Sequence, residues 1–416
     1  MSFFYFFKKA GIYRSLSNLL KMEGIPRMLQ AKSKDGRIIT LASLTKQEIS
    51  KARQAEFFCP TCNESLLVKA GVKTIAHFAH RTESECSSND HGEGPYHEQG
   101  KLMLFQWLKS QGIGVELEKY LPEISQRPDI FVSLNHRRIA IEYQCARIPV
   151  DILNSRNAGY NKAGITPIWI LGANHFKRIR QKHFHIDQFI LSFMHRFSTE
   201  FPLTLYFFCP HTRQFITIQH IQITTPRNAI GQFRFTNLSE MNVTNLFIKQ
   251  QSHELGLFEL WKKEKQAFRL QQNNRLYGAE LAWHKWLYKK RTHKEQLPSI
   301  VHLPVCGQYL MKTKLGNWQS RLVLNVIDPI PIGSTFTLQN CHRLFHYQTQ
   351  QFSLLKAFDD PIYQYLQLLT ILHIIEEIEP HIFKKMKEIQ FHKNIEDSLK
   401  EDARLMNWLI EYSTIR

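Results

Sequence analysis

RPDIFVSLNHRRIAIEYQ, residues 127–144, is the stretch from which the fold of this chain is best read. Two runs that alternate apolar and polar residues, Asp129–Leu134 and Arg138–Cys145, flank Asn135-His136. If those two residues form the turn, Leu134 pairs with Arg137. Counting outward then sets Asp129 opposite Glu142, while Ile130 with Ile141 and Val132 with Ile139 share the other face. One face of this hairpin is apolar and the other carries Asp129, Glu142 and Gln144. Opposed carboxylates on neighbouring strands suit a hard divalent cation such as Mg2+ or Mn2+. The competing reading neutralises the pair with Arg127 or Arg138.

Working outward, Tyr96–Gln111 has Leu104, Phe105 and Leu108 on one helical face and ends at Gly112, a suitable helix stop. Val115–Leu121 alternates as a strand. After the hairpin, Pro149–Lys162 reads as a helix with Arg156 and Tyr160 on one face, and Pro167–Leu171 as a buried strand. The order is α-β-β-β-α-β over residues 93–173. On the first helix His97 and Lys101 share a face at four-residue spacing, with Glu98 adjacent and Glu93 just before the helix. Either Glu93 or Glu98 is placed to join the two hairpin acids.

The stretch before this core, residues 28–92, reads as a small zinc-ribbon-like domain. Asp35-Gly36 between short strand-like runs predicts a type I′ hairpin. Cys59-Pro-Thr-Cys62 is a knuckle that offers two thiolates from one tight turn, and His77, His80 and Cys86 follow it. Five candidates compete for the four places of a tetrahedral zinc. In an extended segment His77 and His80 point to opposite faces, so one of them is expected to bind. Cys145, Cys209, Cys306 and Cys341 stand alone in apolar contexts and are expected in the core. Residues 1–27 read as a non-native extension: Met22-Glu23-Gly24 can be encoded by a ribosome-binding sequence three codons ahead of Met28, the expected start.

Residues 174–416 read as an α+β, mainly helical region. Strands are expected at Leu203–Phe208 and Gln214–Ile223, helix at Ser252–Arg291, β structure at Ser320–Phe345 and mostly helix from Leu354 on. Trp261, Tyr277, Trp283, Trp286 and Tyr288 lie among basic residues, a mixture that builds either a helical core or a stacking surface for single-stranded nucleic acid. Lys plus Arg number 54 against 36 Asp plus Glu, and this excess of 18 positive charges favours a polyanionic partner. The few, unevenly spaced cysteines fit a reducing cytoplasm and not a disulfide scaffold. No apolar run is long enough for a membrane span. No Gly-x4-Gly-Lys-Ser/Thr loop occurs, which argues against an ATP-driven motor.

With these residues in view, the order of elements, the strand Asp and the Glu-x-Lys variant Glu142-Tyr-Gln144 resemble the PD-(D/E)XK nuclease superfamily. The finer pattern is similar to the CoiA competence family: Cys59-x2-Cys62, His77-Phe-Ala-His80, Glu93-x3-His97-x3-Lys101, Arg127-Pro-Asp129, Glu142-x-Gln144 and Arg156-x3-Tyr160. That resemblance implies a mixed α/β protein with a restriction-endonuclease-like core, used in natural transformation on incoming single-stranded or branched DNA alongside recombination proteins such as RecA. It implies a catalytic set of Asp129, Glu142 and Gln144 with Glu93 or Glu98, His97 and Lys101. Arg127, Arg156 and Tyr160 fall to DNA binding, and the Tyr143 carbonyl can complete the cation's oxygen shell. Gln144 stands where the superfamily has Lys; its amide can orient a water or phosphate oxygen but brings no charge. The resemblance therefore carries two expectations, a metal-dependent nuclease or a DNA-binding recombination mediator.

Overall fold

The computed structural model describes the chain from Met28 to Ile415, apart from residues 42–43, 61, 72–73, 82–85, 87–93, 252–253, 272–274, 347 and 356–358. The expected extension 1–27 and Glu93 therefore lie outside the described residues. The chain divides into two compact units, one of the described residues through Tyr143 with Ala163–Thr166, the other of Gln144–Lys162 with Pro167–Arg416. Among the described residues no helix is long and apolar enough to cross a membrane.

The first unit opens with β1 (Gln30–Ser33), β2 (Ile38–Thr40), α1 (Lys46–Ala52), β3 (Phe57–Phe58), β4 (Ser65–Gly71) and β5 (Thr74–His80). The strands form one sheet in the order β2-β1-β3-β4-β5. Their apolar sides enclose Met28, Ala31, Leu41, Phe57, Leu66 and Phe78. A reciprocal capping box between Thr45 and Glu48 starts α1. The β1–β2 turn differs from the expected type I′: Lys32 pairs with Ile38 and only Gly36 is left-handed, with φ of 85°. This is a longer loop closed by a left-handed glycine, favoured because the Ser33 hydroxyl bonds Asp35 and the Arg37 carbonyl.

The unit continues with α2 (Pro95–Lys109), β6 (Gly114–Leu117), β7 (Ile130–Leu134) and β8 (Arg137–Gln144). Pro95 at the first helical position, where no amide hydrogen is needed, starts α2. The β7–β8 hairpin has the expected register, Ile130 against Ile141, Val132 against Ile139 and Leu134 against Arg137. Its turn is the tight one expected, with φ of 47° at Asn135 and 61° at His136. β6 pairs antiparallel with β7 but stops at Leu117 instead of Leu121, because Glu118 turns left-handed with φ of 49°.

In the second unit come α3 (Val150–Lys162), β9 (Ile165–Gly172), β10 (His183–His185), α4 (Gln188–Leu191), β11 (Leu205–Cys209), β12 (Gln214–Thr225) and β13 (Asn228–Asn237). The elements α2 to β9 thus follow the α-β-β-β-α-β order expected of a nuclease-like core. β9 and β11 run parallel; β11, β12, β13 and β10 continue antiparallel. β11 and β12 fall where strands were expected, at Leu203–Phe208 and Gln214–Ile223, whereas β13 and β10 were not expected from the sequence.

The chain ends in α5 (Glu254–Leu270), α6 (Gly278–Lys289), α7 (Leu315–Leu322), β14 (Thr335–Thr337), α8 (Leu338–Arg343), α9 (Pro361–Ile371), β15 (Ile375–Glu379), β16 (Ile382–Lys385) and α10 (Ile395–Ile415). Ser320–Phe345 is mainly helical, which corrects the β expectation. Residues 315–320 and 322–324 are buried on every side, so no helical period shows in their polarity. The acidic Glu376, Glu377 and Glu379 lie on β15 and not on a helix. Of the four lone cysteines only Cys341 is buried; Cys145 and Cys209 are half-buried and Cys306 is exposed, contrary to the core expectation.

Candidate active site and metal centre

Two clusters in the first unit gather the chemistry. In the N-terminal sheet, the Cys59 amide donates to the Glu64 carbonyl and the Asn63 amide to the Cys59 carbonyl, while Asn63 adopts a φ of 60°. This knuckle brings Cys62 back over Cys59. β5 runs beside β4 with His80 against Leu66 and His77 against Lys69, so the two histidines face opposite sides. Cys59, Cys62, His80 and Cys86 gather with all ligand atoms within 4.8 Å of one another. His77 is buried but is not a member of the group.

The spacing fits a metal. Cys59 Sγ and Cys86 Sγ are 3.8 Å apart, and Cys62 Sγ lies 3.4 Å from His80 Nε2. Zinc–sulfur bonds of about 2.3 Å in a tetrahedron give edges of about 3.8 Å. Burial and the neighbouring sulfurs push the Cys62 thiol up to about 12. A bound cation is what would favour the thiolate there. The cluster can hold a metal such as zinc.

The second cluster surrounds Asp129, the residue before β7. Continuing the hairpin register by one position sets it against Glu142, and the Tyr143 amide donates to Asp129 Oδ2 at 2.8 Å. From α2, His97 Nε2 lies 3.4 Å and Lys101 Nζ 3.5 Å from the same carboxylate. His97, Glu98, Lys101 and Glu142 are all buried. Burial by itself would raise the Asp129 carboxyl; the Lys101 ammonium and the His97 ring overcome it and, with the Tyr143 amide, hold it well below the usual carboxylate range. Arg138, weighed from the sequence as a neutralising partner, is instead paired with Glu123 at 3.2 Å.

Two residues of this cluster escaped the sequence reading. Glu118 accepts a 2.7 Å bond from Lys101 Nζ, and its own amide donates to the Asp129 carbonyl at 2.9 Å. Gly100 lets α2 approach the hairpin: a Cβ there would meet the Tyr143 ring at 2.1 Å. His97 stacks on that ring, with centroids 5.5 Å apart. The one sequence signal for Gly100 is a glycine inside a helix, which costs about 1 kcal/mol relative to alanine and so asks for a reason.

Of the remaining expected residues, Gln144, Arg156 and Tyr160 lie in the second unit and Arg127 in the first. Gln144 donates from Nε2 to the Ala146 carbonyl at 2.8 Å. Arg156 donates to the Tyr160 hydroxyl at 3.2 Å, as their spacing on α3 requires. Arg127 precedes Asp129 by two residues in the first unit.

An acid pair on a hairpin, faced by a helix with a histidine and a lysine, is a layout that suits a nuclease-like domain, and comparison with known proteins finds such a domain in this stretch. The nuclease-like domain of competence protein CoiA matches residues 93–251, its N-terminal domain residues 41–89 and its C-terminal domain residues 258–399. The chain belongs to the competence protein CoiA family. Competence protein CoiA of Bacillus subtilis (strain 168) is 29% identical over 309 residues, 73% of this chain and 82% of the relative. No solved structure matches the chain.

Proposed function

We propose that this protein processes incoming single-stranded or branched DNA in the cytoplasm during natural transformation, as a divalent-metal-dependent nuclease-like protein working with recombination proteins such as RecA. The observation that carries the reading is Asp129, a largely buried carboxylate with its side chain 13% exposed, held well below the usual carboxylate range beside Glu142 by Lys101 and His97. Two carboxylates fit Mg2+ or Mn2+, which commonly take one or two from a protein and the rest from water and substrate phosphate. Asp129, Glu142 and the Tyr143 carbonyl would hold it, and it would polarise the scissile phosphate and activate a water. In this reading Glu98, the acid on α2, joins them. Lys101 brings a buried cation to the cluster from the helix, which offsets the neutral Gln144. Arg156 and Tyr160 on α3 take the DNA backbone in this reading. Zinc at Cys59, Cys62, His80 and Cys86 is structural.

A second reading, a recombination mediator that keeps the core for recognition only, is favoured by Gln144, whose amide is turned to the Ala146 carbonyl. The deciding experiment is cleavage of branched and single-stranded DNA with and without Mg2+ or Mn2+, with affinity measured in parallel. Gln144→Ala should slow turnover roughly a hundredfold, the usual cost of one positioned donor, and barely change affinity. Gln144→Lys should keep or raise activity. Absence of cleavage by wild type and both variants at saturating DNA would sink the nuclease reading. Asp129→Ala and Glu142→Ala should abolish transformation in cells at normal protein level.

A further inference from the structure

Helix α6 and its flanks, residues 275–293, carry Arg275, Lys285, Lys289, Lys290 and Arg291 against the single acid Glu280, which is paired with Lys314 at 2.6 Å. The helix packs through Trp283 and Leu287, both buried, and the Trp283 Nε1 donates to Ser320 Oγ at 3.0 Å. Two other aromatics do not serve the core. Tyr277, at the N-terminal boundary of the helix, is 81% exposed and Tyr288, in its last turn, is 74% exposed. Eleven residues at 1.5 Å rise separate them by about 16 Å. Half-buried Trp286 already has the Arg321 guanidinium 4.5 Å and the Lys290 amine 6.0 Å from its ring centroid.

Exposing two tyrosine rings to water brings the fold nothing, and five cations around them repel a cationic or neutral apolar partner. The ligand this face fits has flat rings to stack on and a regular line of negative charge. We propose that Tyr277 and Tyr288, with Lys285, Lys289, Lys290 and Arg291, form a second nucleic-acid platform that takes single-stranded DNA, apart from the acidic cluster at Asp129. A duplex hides its bases within the stack, whereas a single strand offers both faces and phosphates. The inference rests on the reading that the chain handles DNA, but names a different surface for holding it.

The test is fluorescence anisotropy of a labelled thymidine oligomer titrated with the full-length protein, without added divalent cation so that cleavage plays no part. Tyr277→Ala and Tyr288→Ala should each weaken binding roughly tenfold, and Tyr288→Phe, which keeps the ring, should bind as wild type does. On an abasic strand of equal length, which keeps the phosphates and cannot stack, the tyrosine substitutions should change nothing. Lys285→Ala and Lys289→Ala should weaken both strands alike and flatten the salt dependence. Wild-type affinity in the double tyrosine variant, or an equal loss on the abasic strand, overturns the platform. Because affinity is read without divalent cation, the two readings separate: loss of binding in the tyrosine variants supports the platform even if no cleavage is ever found, and unchanged binding overturns it even if cleavage is.

Discussion

Asp129 keeps its charge because the Lys101 ammonium, the His97 ring and the Tyr143 amide face it. A carboxyl held below its ordinary value adds stability above its unfolded pKa, near 3.9, and that stability is lost as pH falls through the folded value. Removing Lys101 leaves the largely buried carboxylates of Asp129 and Glu118 without their shared cation. Lys101→Met should therefore cost about 3 to 5 kcal/mol at neutral pH, and the cost should shrink as pH drops below about 4 and Asp129 takes up its proton. Urea unfolding of wild type and variant across that range measures it, and a cost that does not vary with pH would show that the ion pairs are not its source. At this scale the sequence is legible where a residue's place follows from strand or helix period. Asp129, Glu142, His97 and Lys101 all follow from such counting and do come together. Glu118 does not, since its place depends on a left-handed backbone turn after β6 that no period announces.

The hairpin of β7 and β8 was readable down to its register, because a two-residue turn leaves one way to keep isoleucines and valine on one face. The same logic settles the histidines on β5, three residues apart and so on opposite faces. Metal analysis of protein made in zinc-replete cells should find about one zinc per chain. His80→Ala or Cys62→Ser should abolish it and expose the N-terminal sheet to proteolysis, while His77→Ala should retain the metal. Equal loss from His77→Ala and His80→Ala would contradict the geometry. The C-terminal elements were harder to read for a physical reason. α7 is buried all round, its polar Asn317, Gln319 and Ser320 included, so no apolar stripe of helical period marks it, and β15 hides behind three glutamates whose charges suggest a solvated helix.

In the second unit, the C-terminal core is held partly by buried charge. Arg269 on α5 makes 2.8 and 3.1 Å bonds to Asp402 on α10, and Lys265 lies 3.3 Å from the same carboxylate. All three are buried. Asp402→Ala would leave two cations facing each other away from water, so it should destabilise this unit by about 3 to 5 kcal/mol. A guanidinium unfolding curve followed by tryptophan fluorescence reads this. An unshifted midpoint would mean that solvent reaches the cluster. Trp261 and Trp283 sit in the core, whereas Tyr277 and Tyr288 do not, so one stretch of mixed basic and aromatic sequence is both packing and surface.

The turn at Asn135-His136 bears also on time. The two acids of the candidate site are joined by a hairpin, a contact so local that it closes in about 1 to 10 μs. His97 and Lys101 reach it only when α2 docks, a longer-range event and a later one. The expected order of folding is that the carboxylates meet before the Lys101 ammonium arrives, so that the helix that completes the cluster also relieves its repulsion; φ-values higher in β7 and β8 than in α2 would check it.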